Sequence, residues 1–349
     1  METITTSEKR PHITVLITTY NYGQFIEEAV DSVLAQDYPM GKVQILVVDD
    51  GSTDDTSERM KKYGSPVEYL YKPNGGQASA LNYGFARTQG EIVMLLDADD
   101  YFVPRKLKTI SEAFDKNPAV GMIYHRVEIW YMDSGKREDW YFAEVSGDIH
   151  REPKKFVSYL TPPTQALSFR MSYLKLLLPI PEEIRMLADC YIAALIPYRA
   201  PVLAIPEALT IYRIHGTNAH FTSGNQARVD PAKSKLAVWQ IVIATMRRWL
   251  AENGYTRKQA PVRAMMDLWE IMVEQEEFKI KPPGRVRFFL HILKTIRHQA
   301  PLTGWRLDII NHIDAFGALV VGYKRFPEWI EKREKLISWM RSRRNQVSH

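Results

Sequence analysis

The sequence predicts an α/β fold: a Rossmann-like, mainly parallel sheet followed by an α-helical C-terminal region. Two observations carry this. Short apolar, β-rich runs alternate with amphipathic stretches through the first hundred residues, and the pattern becomes helical after about residue 225. Repeated β-α units of this kind imply parallel strands joined by right-handed crossovers.

His12–Thr18 (HITVLIT) is a near-continuous apolar run, as expected of a strand buried on both faces. Within Gln24–Gln36, Phe25, Ala29, Val33 and Leu34 fall at helical spacing. Gln44–Val48 (QILVV) predicts a second strand, closed by the turn and cap cluster Asp49–Asp54 ahead of a helix over Asp55–Lys62. Val67–Tyr71 predicts a third strand, Gly76–Arg87 a helix entered through Asn74-Gly75-Gly76, and Ile92–Leu96 a fourth strand running into Asp97. The middle of the chain is mixed. Strands are expected over Val120–Trp130 and Trp140–Val145 around a turn at Asp133-Ser134-Gly135, then over Ala166–Phe169 and Ala208–Tyr212, with a helix near Ala188–Pro197. Helices are expected over Lys233–Glu252, Pro261–Phe278, Arg285–His298, Gly304–Phe316 and Glu328–Arg343, punctuated by Pro282-Pro283-Gly284 and Pro301.

Composition narrows the setting. An apolar content of 45% with 25% charged residues is ordinary for a globular protein. The single cysteine, Cys190, cannot close an intramolecular disulfide and points to a reducing compartment. No apolar stretch approaches the roughly 20 residues of a membrane-spanning helix, and Met1–His12 lacks the apolar core of a signal peptide. A cytoplasmic location is expected. Residues 230–349 carry 22 Lys+Arg against 12 Asp+Glu, whereas the preceding residues carry 24 against 29. A polyanionic partner would therefore meet the C-terminal third, although solvated helix faces explain the charge equally well. Arg285–His298 sets Val286, Phe289, Leu293 and Ile296 on one face, with Arg285, Arg287, Lys294 and Arg297 elsewhere. Such a helix suits peripheral contact with the inner face of an anionic membrane, or packing on the sheet domain or a second subunit; the basic run Arg341-Ser342-Arg343-Arg344 fits either. No nucleic-acid partner is expected.

Ligands on parallel sheets bind beyond the carboxyl ends of the strands. Three predicted strands end in polar segments: Thr18-Thr19-Tyr20-Asn21, Asp49-Asp50-Gly51-Ser52 and Asp97-Ala98-Asp99-Asp100. Clustered carboxylates suit Mg²⁺ or Mn²⁺, which keep water and phosphate oxygens in their remaining positions. A cation held there would neutralise charge on a departing diphosphate. Alone, the cluster reads equally well as a helix cap before Pro104.

Four motifs in order, ITVLITTYN (13–21), VVDDGSTD (47–54), NGGQASALNYG (74–84) and LLDADD (95–100), resemble glycosyltransferase family 2, and the resemblance extends over roughly residues 12–216. It implies a GT-A fold, with a catalytic domain over 1–224 (donor half about 12–100, acceptor half about 101–224) and a helical extension over 225–349. It further implies that Thr19 and Tyr20 hold the nucleotide base and that Asp50 accepts a hydrogen bond from it. Asn74, Gly76 and Asn82 would border base and ribose, Asp97 would contact ribose or sugar, and Asp99 would be the main ligand of a Mn²⁺ or Mg²⁺ cofactor, assisted by Asp100. Asp189 stands where the family places its general base, but Ala188 replaces the acid that usually precedes it. Tyr212-Arg213-Ile214-His215-Gly216-Thr217-Asn218 resembles a further segment, in which Arg213 would neutralise phosphate and His215 would complete the metal shell or hydrogen-bond the diphosphate. Thr164–Arg170 is expected to line the acceptor side.

The reaction implied is inverting transfer of a sugar from a nucleotide-sugar donor, on the family's prior a UDP-sugar, to a saccharide or lipid-linked acceptor. The alternatives are a nucleotidyltransferase and a non-catalytic nucleotide-sugar-binding scaffold. The first is disfavoured because no Gly-rich basic loop follows the first strand, and the second because Asp99 and Asp189 are retained. No G-x-G-x-x-G follows the first strand to support NAD chemistry. A processive synthase is disfavoured because Arg248-Trp249 is preceded by Thr245 where the family's Q-x-x-R-W motif has Gln.

Overall fold

Four parallel strands carry the first hundred residues: β1 (Ile13–Thr19), β2 (Val43–Asp49), β3 (Val67–Tyr71) and β4 (Ile92–Asp97). In the computed structural model the described residues are 12–140, 144–152, 155, 159, 162–216, 218, 231–299 and 322–332. β1 pairs with both β2 and β4, and β2 with β3. This register brings Thr19 beside Asp49 and Thr18 beside Asp97, so the three polar segments do converge on one edge. Helices α1 (Gly23–Leu34), α2 (Thr56–Met60) and α3 (Gln77–Phe85) form the crossovers. The apolar runs are continuous because both faces of the sheet are covered: Val15, Leu16 and Ile17 have no exposed surface.

Beyond β4 the sheet becomes mixed. The strand order is β3-β2-β1-β4-β8-β6-β9-β5, with β7 paired to β6. Here β5 is Tyr101–Phe102, β6 Met122–Tyr131, β7 Arg137–Trp140, β8 Leu167–Arg170 and β9 Val202–Ile214. β8 runs antiparallel to β4 and β6, whereas β6 and β9 are parallel. The short β5 and the helix α4 (Lys106–Lys116), which buries Leu107, Ile110 and Phe114, are elements that the periodicity did not indicate. The return strand of the hairpin starts three residues before the expected Trp140, because its sequence Arg-Glu-Asp-Trp lies at an exposed edge and carries little apolar signal. Residues 141–143 lie outside the described part. β9 is longer than the expected Ala208–Tyr212, with register irregularities opposite His125 and Arg126 that absorb Pro206. Helix α5 (Ala188–Leu195) then buries most of its side chains.

The chain divides into two compact units, Met1–Ala227 with Ile241–Leu250, and Arg228–Gln240 with Ala251–His349. Helices α6 (Pro231–Glu252), α7 (Ala260–Ile280) and α8 (Arg285–Gln299) stand where helices were expected. α8 packs on α7 through Phe288 and His291, with ring centroids 6.2 and 4.9 Å from Phe278. His291 lies 2.7 Å from Glu274 and Lys294 lies 3.2 Å from Glu270. The buried face is thus set by Phe288 and His291, and Val286 of the expected apolar stripe is exposed. The helix expected over Gly304–Phe316, most of Glu328–Arg343 and the basic run at 341–344 lie outside the described residues. No described helix is long and apolar enough to cross a membrane.

Candidate functional site

At the carboxyl edge of the parallel strands, the loops after β1 and β2 are tied together by reciprocal hydrogen bonds. Asn21 takes a left-handed conformation (φ 57°), which asparagine tolerates. Its amide oxygen accepts from the Thr53 N–H at 2.7 Å, and its own N–H donates to Ser52 Oγ at 2.8 Å. Asp54 accepts from the Gly23 N–H and the Thr56 hydroxyl. Burial works against its ionisation, but these bonds prevail and hold its carboxyl below the usual range. Thr19 is buried and its hydroxyl has no partner among the described residues, whereas Tyr20 is 45% exposed at the rim.

Asp50 sits at the centre of the adjoining loop. Its two oxygens accept from Lys72 Nζ (2.7 Å), Gly75 N (2.9 Å), Gly76 N (2.7 Å) and Asn74 Nδ2 (3.1 Å). Four donors fill the acceptor positions a carboxylate offers. Asp50 therefore organises this loop, and a nucleotide N–H would have to displace one of them to meet it as expected. Gly76 has φ 87°, and a Cβ there would fall 2.8 Å from the Arg185 backbone, so both conformation and space require glycine. Asn74 also accepts from Arg185 Nη2 at 2.6 Å. Asn82 departs from its expected role at the base and ribose. Its amide donates to the Ile180 carbonyl (2.7 Å) and accepts from the Ile180 N–H (2.8 Å), so it clamps a remote loop as a peptide group would.

The loop after β4 is different in kind. Burial, followed by the neighbouring charges of Asp99 and Asp189, pushes the Asp97 carboxyl well above the ordinary range against hydrogen bonding with the Thr164 and Thr18 hydroxyls. Asp99 Oδ2 lies 3.2 Å from both His215 Nε2 and Asn218 Nδ2. The His215 ring packs 4.3 Å from Phe25 and edge-on to Tyr22, which fixes its direction. Asp100 has no exposed surface; its Oδ1 accepts the Arg213 backbone N–H at 2.8 Å and so braces β9, while its Oδ2 is buried with no partner among the described residues. Arg213 is 1% exposed, and its guanidinium donates to the Asp99 carbonyl and to Glu28 between the rings of Phe25 and Tyr101. In this arrangement it supports the acidic loop.

Asp189 opens α5, and its Oδ2 accepts from Thr164 Oγ1 at 2.8 Å. Its Oδ1 is buried with no partner among the described residues. The helix entry is held against α3: Gln77 N donates to the Arg185 carbonyl (2.9 Å), and Ala188 N donates to Gln77 Oε1 (2.9 Å). Leu187 is forced to φ 65°, a costly conformation for a branched aliphatic residue and one often found at functional sites. Ala188 therefore contributes a backbone N–H where the family pattern has an acid.

Sequence reasoning passed over several participants. Asn218 was quoted in its motif without a role, yet it bridges Asp99, the Arg213 carbonyl and the His215 N–H. Lys106 is fully buried, donates to the Gln165 carbonyl (2.6 Å) and Thr210 Oγ1 (3.1 Å), and lies over the Phe102 ring. Burial pushes its pKa well down, with Asp100 opposing the shift. Nothing in KLKTIS marks that lysine as internal. Tyr212 also stands near the carboxylates: burial, then Asp100, Asp99 and Asp97, raise its phenol.

Among the described residues no group of three or more His, Cys, Asp or Glu side chains is placed to hold a metal ion by itself. The donor set nevertheless fits a hard cation. Asp99 and His215 meet at the edge, and the mutual repulsion seen at Asp97 is what a cation relieves. Mg²⁺ and Mn²⁺ sites commonly use one or two carboxylates, with substrate phosphate and water completing them.

Comparison with known proteins agrees with this geometry. The family model described as glycosyl transferase family 2 matches residues 14–176. An uncharacterized glycosyltransferase of Nostoc sp. is 32% identical over 254 residues, covering 70% of this chain and 77% of that protein. The chain belongs to glycosyltransferase family 2. An uncharacterized glycosyltransferase of Mycoplasma pneumoniae is 34% identical over 187 residues, covering 51% of this chain and 58% of that protein. Among solved structures, TarS 1–349 of S. aureus in complex with UDP-GlcNAc aligns with a TM-score of 0.62 at 18% identity, covering 92% of this glycosyltransferase and 91% of TarS 1–349. The mannosyltransferase PcManGT of Pyrobaculum calidifontis, in complex with GDP-Man and Mn²⁺, aligns at 0.51 and 18% identity, covering 95% and 86%. At such identities the two structures support the GT-A fold.

Proposed function

We propose that this glycosyltransferase is inverting and metal-dependent, and that it moves a sugar from a UDP-sugar to an acceptor hydroxyl in glycoconjugate or polysaccharide synthesis. The observation that carries the proposal is the meeting of Asp97, Asp99 and Asp189 at one sheet edge, where Asp189 has an oxygen without a partner among the described residues. Thr19 and Tyr20 receive the base, Asn74 and Gly76 border the ribose, and Asp97 faces ribose or sugar. Asp99 with His215 would hold a divalent cation, which when bound supplies charge neutralisation to the departing diphosphate.

Asp189 is the general base. Its Oδ1 takes the acceptor hydroxyl proton as the acceptor oxygen bonds to the anomeric carbon and the bond to the nucleoside diphosphate breaks. Thr164 holds the other oxygen, which fixes the carboxylate plane. Attack opposite the leaving group inverts the anomeric centre without a covalent enzyme intermediate, so alignment and preorganised charge supply the barrier reduction. The UDP assignment draws on the UDP-GlcNAc complex of TarS, against the GDP-Man complex of PcManGT. Residues 1–224 form the catalytic domain on this reading, and the basic helices beyond serve membrane contact or self-association.

A thermal-shift panel of UDP- and GDP-sugars with and without Mn²⁺ tests the proposal. Selective, Mn²⁺-dependent stabilisation by a UDP-sugar is expected. Stabilisation by GDP-sugars alone would overturn the base assignment, and no stabilisation by any nucleotide sugar would overturn the donor site.

A further inference from the structure

The hairpin β6–β7 and the neighbouring β9 present a surface that none of the donor-side residues uses. Ile129 pairs with Tyr212 on one side and Glu138 on the other, and Val127 pairs with Trp140. Paired residues put their side chains on the same face of a sheet, so Glu138, Trp140 and Tyr212 share one face. The Trp140 and Tyr212 ring centroids lie 6.0 Å apart at 33° between planes, and Trp140 remains 39% exposed.

That face continues into the acidic edge through β9. Two residues before Tyr212, the Thr210 hydroxyl donates to the Gln165 carbonyl at 3.1 Å, and the adjoining Thr164 holds Asp189. One residue after Tyr212, the Arg213 N–H is bonded to Asp100. An aromatic pair thus begins at the acidic edge, where Tyr212 lies near Asp100, Asp99 and Asp97, and leads away along the acceptor half.

Charge decides the class of occupant. Arg137 is paired with Glu128 at 2.8 Å, Lys136 with Glu138 at 2.5 Å, and Arg126 with Glu144. The cations of the hairpin are already matched by carboxylates, and Asp97, Asp99 and Asp100 stand near Tyr212, so a polyanionic acceptor would be repelled. A pyranose ring presents apolar C–H faces to an aromatic plane and a rim of hydroxyls to carboxylates, which is the chemistry this face offers. We propose that Trp140 and Tyr212 form a stacking shelf for a pyranose ring of a neutral saccharide acceptor. The proposal rests on the reading above, in which an acceptor hydroxyl is deprotonated by Asp189.

The test is saturation-transfer NMR on the full chain with UDP and Mg²⁺. The probes are the methyl pyranosides of glucose, galactose, mannose and N-acetylglucosamine, with ribitol as an acyclic polyol. Saturation is expected to reach the C–H protons of at least one pyranoside and not ribitol. It should fall about fivefold in Trp140→Ala, in line with the loss of one aromatic stacking contact, and be largely retained in Trp140→Phe. Absence of the effect with every pyranoside, equal saturation in Trp140→Ala, or preference for ribitol would overturn the shelf. Thermal stabilisation by UDP-GlcNAc is measured on the same samples. Donor stabilisation without pyranoside saturation sinks the shelf alone. Pyranoside saturation that depends on Trp140, without stabilisation by UDP-GlcNAc or by any sugar of the panel above, keeps the shelf and sinks the proposed donor site.

Discussion

The two acidic loops at the sheet edge, Asp49–Asp54 after β2 and Asp97–Asp100 after β4, look alike in sequence and are bonded in opposite ways. In the first, each carboxylate is met by protein donors: Asp49 by the Ser52 N–H and the Tyr69 hydroxyl, Asp50 by four groups, and Asp54 by Gly23 and Thr56. In the second, protein donors also reach each carboxylate, but the carboxylates crowd one another: burial and the charges of Asp99 and Asp189 push Asp97 toward its neutral form, and one buried oxygen each of Asp100 and Asp189 has no partner among the described residues. A fully matched, separated aspartate builds architecture. A crowded group with unmatched oxygens carries an electrostatic cost that a ligand relieves.

The largest effect that sharpens this contrast should come from Asp189→Asn. Transfer is expected to fall by about 10²–10⁴-fold, the usual contribution of a general base, while the melting temperature stays close to that of the parent. Initial rates of nucleoside diphosphate release with acceptor present measure it, and a variant with parental turnover would remove Asp189 from the reaction. Asp50→Ala should act on stability. It removes the carboxylate acceptor of the Gly75 and Gly76 N–H groups and leaves Lys72 and Asn74 only their second acceptors, the carbonyls of Pro73 and of residue 50, at a cost of about 3–5 kcal/mol by analogy with a broken buried ion pair. A urea midpoint unchanged from the parent, together with lost nucleotide affinity, would restore Asp50 to a direct contact with the base. Asn82→Ala leaves both backbone groups of Ile180 unmatched and should cost about 1–3 kcal/mol with UDP affinity unaltered by calorimetry. Weakened UDP binding at parental stability would contradict the clamp.

The smallest effect concerns pH. Burial, with Lys106 adding to it, pushes the His125 pKa well below its ordinary 6.5. Below pH 6.5 the unfolded chain therefore takes up a proton that the folded one refuses, and stability falls as pH drops from 6.5 toward the folded pKa. Urea midpoints between pH 7 and 5 should decline in the parent and decline less steeply in His125→Gln. Parallel slopes would remove His125 as the cause.

The parallel half of the fold was legible because its strands are buried on both faces and read as unbroken apolar runs such as VLI and IVMLL. β5 and the buried Lys106 were not legible, since their places depend on partners remote in sequence, and the hairpin return strand was misplaced by three residues because its exposed Arg-Glu-Asp-Trp start carries little apolar signal. The site residues divide on the same line. The motifs located the edge and named Asp97, Asp99, Asp189 and His215. They could not tell which members face a ligand and which face the protein, because Asp50, Asn82, Asp100 and Arg213 are settled by contacts made 22 to 185 positions away.

Calorimetric titration of UDP into the parent and into Asp99→Asn, each with and without Mn²⁺, tests the central assignment most directly. The acidic loop after β4 as cation and diphosphate site predicts Mn²⁺-strengthened UDP binding in the parent and loss of that strengthening in the variant. Identical Mn²⁺ dependence in the two proteins would contradict it.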